Sequence, residues 1–180
     1  MKNSSFIRNI FLKNIRKVKT SQITGSYYRL VSFKHKNEIL STTGSLNAGG
    51  RYNPPDEFGV LYLGETKEVC KAERIRRQNP HFLDSQIIIS KIKVSYKNVL
   101  DLTDSETLEI LGIKKEEILT EEKEGGWELT WEIARCAYQC GIEGILAPSV
   151  TGEGNNLVIF EKHLKSKNIK IISKQKEGIY

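Results

Sequence analysis

Seven side chains in this 180-residue sequence have the chemistry to act together on one ligand: Arg29, Arg51, Tyr62, Glu73, Ser149, Asn155 and Asn156. Guanidinium groups grip phosphate oxygens through a planar fork of N–H donors. A tyrosine ring offers a stacking face, and a fixed carboxylate stabilises positive charge that develops during bond cleavage. A hydroxyl and two amides late in the chain can orient a ligand. The sequence has no G-x-G-x-x-G, G-x-x-x-x-G-K-[ST], H-E-x-x-H or G-x-S-x-G pattern, so the usual nucleotide-loop, metalloprotease and serine-hydrolase readings lose their anchors. Ser149 has no histidine close to it in sequence, and a Ser-His-Asp triad has little support. Three cysteines, an odd number, give no disulfide framework. Cys136 and Cys140 lack a second ligand pair, and His35, His81 and His163 are scattered, so no metal is expected.

The elements that must position these groups centre on residues 44–77, GSLNAGGRYNPPDEFGVLYLGETKEVCKAERIRR. Gly49 and Gly50 precede Arg51 in a glycine-rich loop, a backbone suited to close approach of an anion, and Pro54-Pro55 end it. Val60 to Gly64 has the length of an apolar strand. Lys67 to Gln78 has good helix formers and no interior Gly or Pro. On its wheel Val69, Ala72 and Ile75 share a face, and Glu73 falls inside that arc. A carboxylate there is either paired or functional, because burying it alone is costly. Gly25 opens SYYRLVSF, an aromatic and β-branched strand with Arg29 in its middle. That arginine is either an edge residue with its head in water or an inward residue holding an anion.

Along the rest of the chain, residues 5–18 read as an amphipathic helix with Phe6, Ile7, Ile10, Phe11 and Ile15 on one face. It either docks on a membrane or acidic partner or, the simpler reading, packs against its own domain. Gln86 to Leu100 alternates like a half-buried strand. Asp104 reads as an N-cap and Gly112 as a C-cap around ETLEILG. Residues 116–126 form an acidic loop or short helix. Trp127 to Cys140 is a helix whose Trp127, Trp131, Ala134 and Tyr138 make a stripe for core packing. GILAPSV, LVIFE and IKIIS are strands, with the turn-rich TGEGNN after the first. Short strands interleaved with helices make one α/β or α+β domain.

Bulk composition fits a soluble globular protein, with 38% hydrophobic and 28% charged residues. No apolar run approaches the roughly 18 residues of a membrane span. The first residues lack the apolar core and cleavage site of a secretory signal, which points to the cytoplasm. The net charge is +6 with a pI near 9.1, which leaves nucleic acid, an acidic partner or a phosphate-bearing substrate open. No helix-turn-helix, zinc finger or aromatic RNA-binding signature accompanies that charge, so direct nucleic-acid binding is not expected.

The ordered set YYRL, GGRYNPP, VLYLGE, CKAERI, LDLT, GILAPSV and GNNLVIF resembles the RES domain family, named for an arginine, a glutamate and a serine. The resemblance spans residues 25–162 of a single domain covering 1–180, with residues 1–20 as a basic N-terminal helix. It puts the three naming residues, the catalytic set, on Arg29, Glu73 and Ser149. Arg51 and Tyr62 become substrate-binding residues, joined by Tyr52 and Asn53 of the loop and by Asn155 and Asn156. The loop more often carries Trp where this chain has Tyr52, and some members carry Tyr where it has Leu30.

The resemblance implies an α+β fold like that of ADP-ribosyltransferases, a split, mixed β-sheet core with flanking helices around an NAD+ cleft. It implies the toxin of a bacterial toxin–antitoxin pair that breaks the nicotinamide–ribose bond of NAD+. The acceptor is inorganic phosphate in a phosphorylase or water in a glycohydrolase; NAD+ is substrate and phosphate the expected co-substrate, with no metal or other cofactor. The partner is an Xre-like helix-turn-helix antitoxin that blocks the active site and would carry any DNA binding. In this reading Glu73 stabilises the oxocarbenium-like state, while Arg29 and Arg51 hold the pyrophosphate or the attacking phosphate. Tyr62 stacks on nicotinamide and Ser149 fixes the ribose or amide. The competing readings are a protein ADP-ribosyltransferase and a non-catalytic basic binding module.

Overall fold

Alternating apolar residues build the sheet. The computed structural model describes residues 4–77, 86–120 and 127–178. Its strands are β1 (Ser21–Ser32), β2 (Val60–Gly64), β3 (Gln86–Asp101), β4 (Gly144–Pro148), β5 (Asn155–Phe160) and β6 (Ile169–Gly178). Its helices are α1 (Ser4–Ile15), α2 (Thr43–Ala48), α3 (Lys67–Arg77), α4 (Ser105–Leu111), α5 (Lys115–Leu119) and α6 (Glu128–Gln139). Val60, Ile145, Ala147, Val158 and Phe160 enter one buried cluster, and Leu61, Leu63, Leu146, Leu157 and Ile159 enter another. Successive residues of a strand leave opposite faces, so these central strands are buried on both sides.

The six strands form one mixed sheet in the order β1-β2-β5-β4-β3-β6, with an additional β1–β3 pairing. Only β3 and β4 run parallel; the other pairs are antiparallel. β3 is long enough to serve two groups of strands. Residues 87–94 lie between β1 and β6, whereas Val99, Leu100 and Asp101 pair with β4. The sheet is thus split into a β1–β3–β6 part and a β2–β5–β4 part. Tyr28 opposite Gly64 is the single register pair between β1 and β2. This is the α+β split mixed sheet that the family resemblance implies.

The helices follow their local signals with instructive exceptions. Asp104 caps α4 by accepting the Thr107 N–H at 2.9 Å, and Gly112 closes it with φ 69°. α1 sends Phe11 and Ile15 into the cluster that holds Ile133, Ala134 and Ala137 of α6. Ile10, expected on that face, is 42% exposed. In α6 the fully buried stripe is Thr130, Ile133, Ala134 and Ala137. Trp127, Trp131 and Tyr138 flank it half-buried, Trp131 against the glycine-rich loop and Tyr138 against Phe58 and Phe160. In α3, Ile75 is 52% exposed, contrary to the wheel drawn from sequence. The helix lies across β1, with the Cys70 Sγ 3.2 Å from the Tyr28 carbonyl and Arg74 Nη2 3.1 Å from Ser32 Oγ. Its inward face is therefore Val69, Cys70, Glu73 and Arg74.

α2 lies where the sequence reads as loop, β1 begins before Gly25, and β6 continues past Ser173. Gln78, His81 and residues 121–126 of the acidic stretch lie outside the described residues. Among the described residues no helix is long and apolar enough to cross a membrane.

Candidate functional site

The glycine-rich loop is a tight turn fastened from several sides. Gly49 has φ 69° and ψ −178°, a conformation L side chains rarely adopt, and a Cβ there would fall 2.9 Å from Pro55 Cδ. Gly50 and Asn53 exchange both backbone hydrogen bonds, at 2.9 and 3.2 Å. From α6, Trp131 Nε1 donates to the Gly50 carbonyl at 2.8 Å and Thr130 Oγ1 to the Arg51 carbonyl at 2.5 Å. From β2, Tyr62 Oη donates to Asn53 Oδ1 and accepts the Tyr52 N–H, both at 2.9 Å. Asn53 Nδ2 donates to the Ser45 carbonyl at 2.6 Å. Gly50→Ala would place its Cβ 2.6 Å from Tyr62 Oη and 3.0 Å from Asn53 Oδ1. That variant is expected to lose about 1–3 kcal/mol of stability, read as a lower denaturant midpoint with unchanged slope.

The carboxylate is fixed just as firmly. Glu73 Oε1 accepts from Ser149 Oγ and from Asn156 Nδ2, each at 2.8 Å. Ser149 is 4% exposed, and its hydroxyl is in turn 2.8 Å from Thr151 Oγ1. Three elements meet here: α3 supplies the carboxylate, the residue after β4 the hydroxyl, and the start of β5 the amide.

These groups border a cavity of about 420 Å³, inside the range of roughly 300–1,000 Å³ typical of small-molecule sites. Arg29, Arg51, Tyr62, Glu73, Arg74 and Asn156 all line it, and Pro148 and Val150 on its wall flank Ser149. Arg29 Nη2 donates to the Ser41 carbonyl at 2.9 Å. Burial pushes its guanidinium down to about 10, which leaves it cationic near neutral pH. Among the described residues no carboxylate pairs with it. Arg51 is only 6% exposed; its Nη1 donates to the carbonyls of Ile118 and Thr120 at 2.9 and 2.6 Å. It therefore ties the loop to the end of α5 as well as bordering the cavity.

Of the other residues singled out from sequence, Tyr52 lines the cavity and is nearly fully buried. Burial also drives its hydroxyl strongly toward the protonated form. Asn53 is completely buried and does not line the cavity; it braces the loop. Asn155 turns away, its N–H and Nδ2 both 3.1 Å from Glu65 Oε2. The structure thus brings together Arg29, Arg51, Tyr52, Tyr62, Glu73, Ser149 and Asn156. Arg74 escaped the sequence reading; its spacing four residues after Cys70 is the signal, hidden because Ile75 looked like the inward residue. Cys70 also lines the cavity, but burial raises its thiol to about 11, so it stays protonated and is no nucleophile. Among the described residues no group of His, Cys, Asp or Glu is placed to hold a metal ion. A fixed carboxylate and several guanidiniums around one cavity suit a ligand carrying both positive and negative charge.

The chain is similar to known proteins in sequence and in fold. A family model described as the RES domain matches residues 26–177. Proteins named NAD(+) phosphorylase MbcT from Mycobacterium bovis and Mycobacterium tuberculosis are each 25% identical over 134 residues, covering 71% of this chain and 70% of theirs. In fold, the chain is similar to a protein in the crystal structure of the M. tuberculosis MbcT–MbcA toxin–antitoxin complex. The TM-score is 0.79 at 21% identity, over 96% of this chain and 94% of the other.

Proposed function

This chain belongs to the RES domain family, and on that premise we propose that it degrades NAD+ as the toxin of a toxin–antitoxin pair, with inorganic phosphate as acceptor. The observation that carries the reading is the Glu73 carboxylate, held by Ser149 and Asn156 on a cavity that also presents guanidiniums. The name NAD(+) phosphorylase borne by its relatives supports the same activity.

In the reaction the C1′–N bond between ribose and nicotinamide breaks, and its electron pair leaves with nicotinamide as a neutral ring. The ribose passes through an oxocarbenium-like state whose positive charge the fixed Glu73 carboxylate stabilises. A phosphate oxygen then forms the new bond to C1′, giving ADP-ribose 1″-phosphate. Because the leaving ring is neutral, no strong general acid is needed. Arg29 and Arg51 bind phosphate groups, the Tyr62 ring stacks on nicotinamide, and Tyr52 and Asn156 complete the substrate contacts. Ser149 is a positioning residue that orients Glu73. A hydrogen bond to a charged group contributes about 1.5–3 kcal/mol, so Ser149→Ala is expected to lower kcat roughly ten- to hundredfold with little change in KM for NAD+.

The test is NAD+ loss by purified protein with and without inorganic phosphate, with the products identified. Phosphate-dependent formation of ADP-ribose 1″-phosphate is the expected result. Free ADP-ribose formed regardless of phosphate would make water the acceptor, and no NAD+ loss in either buffer would overturn the reading. The proposed partner is a cognate antitoxin with an Xre-like helix-turn-helix that covers the cavity mouth in the cytoplasm, where NAD+ is abundant. Its addition is expected to stop NAD+ loss in the same assay.

A further inference from the structure

Arg74 is the cavity guanidinium that the sequence pattern hides. It follows Glu73 on α3 and lines the same cavity as Glu73 and Arg29. Its Nη2 donates to the Ser32 hydroxyl at 3.1 Å, and Ser32 closes β1, the strand that carries Arg29. One strand therefore steers both guanidiniums, one through its own side chain and the other through a neutral hydroxyl. Lys67 and Lys71 of the same helix both reach Glu177 of β6, at 3.3 and 2.7 Å. Arg29 is a largely buried cation that, among the described residues, has no carboxylate partner, and burial alone accounts for its lowered basicity. A charge removed from water in this way is unfavourable unless a counter-charge arrives. Here a bound anion is the group that can supply it. Two planar forks on the wall of one cavity match the several oxygens of a phosphate group better than a single arginine does.

We propose that Arg74 and Arg29 together form a seat for a phosphate group, which makes Arg74 a substrate-binding residue. This rests on the NAD+-degrading reading of the cavity. The phosphate chemistry has two sources, the pyrophosphate of NAD+ and free orthophosphate, and kinetics separates them. Arg74→Gln is measured with NAD+ and orthophosphate varied independently, beside Arg74→Lys. The expected result is a KM raised about ten- to hundredfold for one of the two, with kcat changed less. Arg74→Lys recovers part of the loss, because a point charge replaces the fork. A raised KM for orthophosphate assigns the seat to the attacking group; a raised KM for NAD+ assigns it to the pyrophosphate. Unchanged KM for both, or a fall in kcat alone, overturns the proposal.

A second arm does not depend on turnover: calorimetric titration of wild type and Arg74→Gln with orthophosphate and with pyrophosphate. If the wild type leaves NAD+ intact, the functional reading falls while this arm still decides the seat. Binding weakened by Arg74→Gln upholds it, and binding that is equal in both proteins or absent from wild type overturns it.

Discussion

Glu73→Gln is expected to slow NAD+ loss about a hundred- to thousandfold, the size of effect seen when one electrostatic stabiliser is removed from an active site. The substitution is nearly isosteric. Its amide oxygen can still accept from Ser149 Oγ and Asn156 Nδ2, which meet Glu73 Oε1 at 2.8 Å each. What disappears is the negative charge that the proposed mechanism sets against the oxocarbenium-like state. The loss should therefore appear in kcat, with KM for NAD+ and the thermal midpoint close to those of wild type. Initial rates and a melting curve on the same preparation check it. A rate close to wild type would remove Glu73 from the chemistry, and a collapsed melting curve would reassign the carboxylate to holding β4, β5 and α3 together.

Phe160→Ala carries the largest expected effect on stability. Phe160 is fully buried at the end of β5, with its ring edge-on to Phe58 at 5.6 Å and to Tyr138 at 5.3 Å. Those two rings stack on each other at 4.6 Å, so the three form one aromatic knot between β5, α6 and the turn before β2. Truncating a buried phenylalanine costs about 3–5 kcal/mol, combining lost transfer energy with a residual cavity. For a domain of this size 1 kcal/mol moves Tm by roughly 2–4 °C, so the midpoint should fall by about 6–20 °C. Differential scanning calorimetry checks it, and a shift of only a degree or two would mean that Phe58 and Tyr138 close the gap.

The parts of this molecule legible in its sequence are those decided by local chemistry. VLYLG is a strand because Val60, Leu61, Tyr62 and Leu63 alternate between two apolar clusters. Asp104 and Gly112 bound α4 because a side-chain acceptor and a left-handed residue satisfy the helix ends. The motif residues Arg29, Glu73 and Ser149 were legible because their types and order resemble a known family. What escaped depends on where an element sits in space. A helical wheel fixes which residues share a face but not which face meets the sheet, so it turns Ile75 inward and gives no sign of Arg74. The loop residues Tyr52 and Asn53 are neighbours in sequence, yet one borders the cavity and the other braces the turn. Asn155 and Asn156 diverge because adjacent residues on a strand point opposite ways, one toward Glu65 and the other toward Glu73.

Glu73 and the two groups that fix it lie 76 and 83 residues apart in sequence, and β2 meets β5 across a similar gap, with Val60 opposite Phe160. A ribosome adds about 5–20 residues per second, so several seconds separate the emergence of the carboxylate from that of its partners. During that interval the growing polypeptide has its guanidiniums and its glutamate but no fixed constellation. On the proposed function, a chain built this way gains its activity only near the completion of its synthesis. Nascent chains truncated before residue 149 should therefore be inert toward NAD+, however much of the first half has already collapsed.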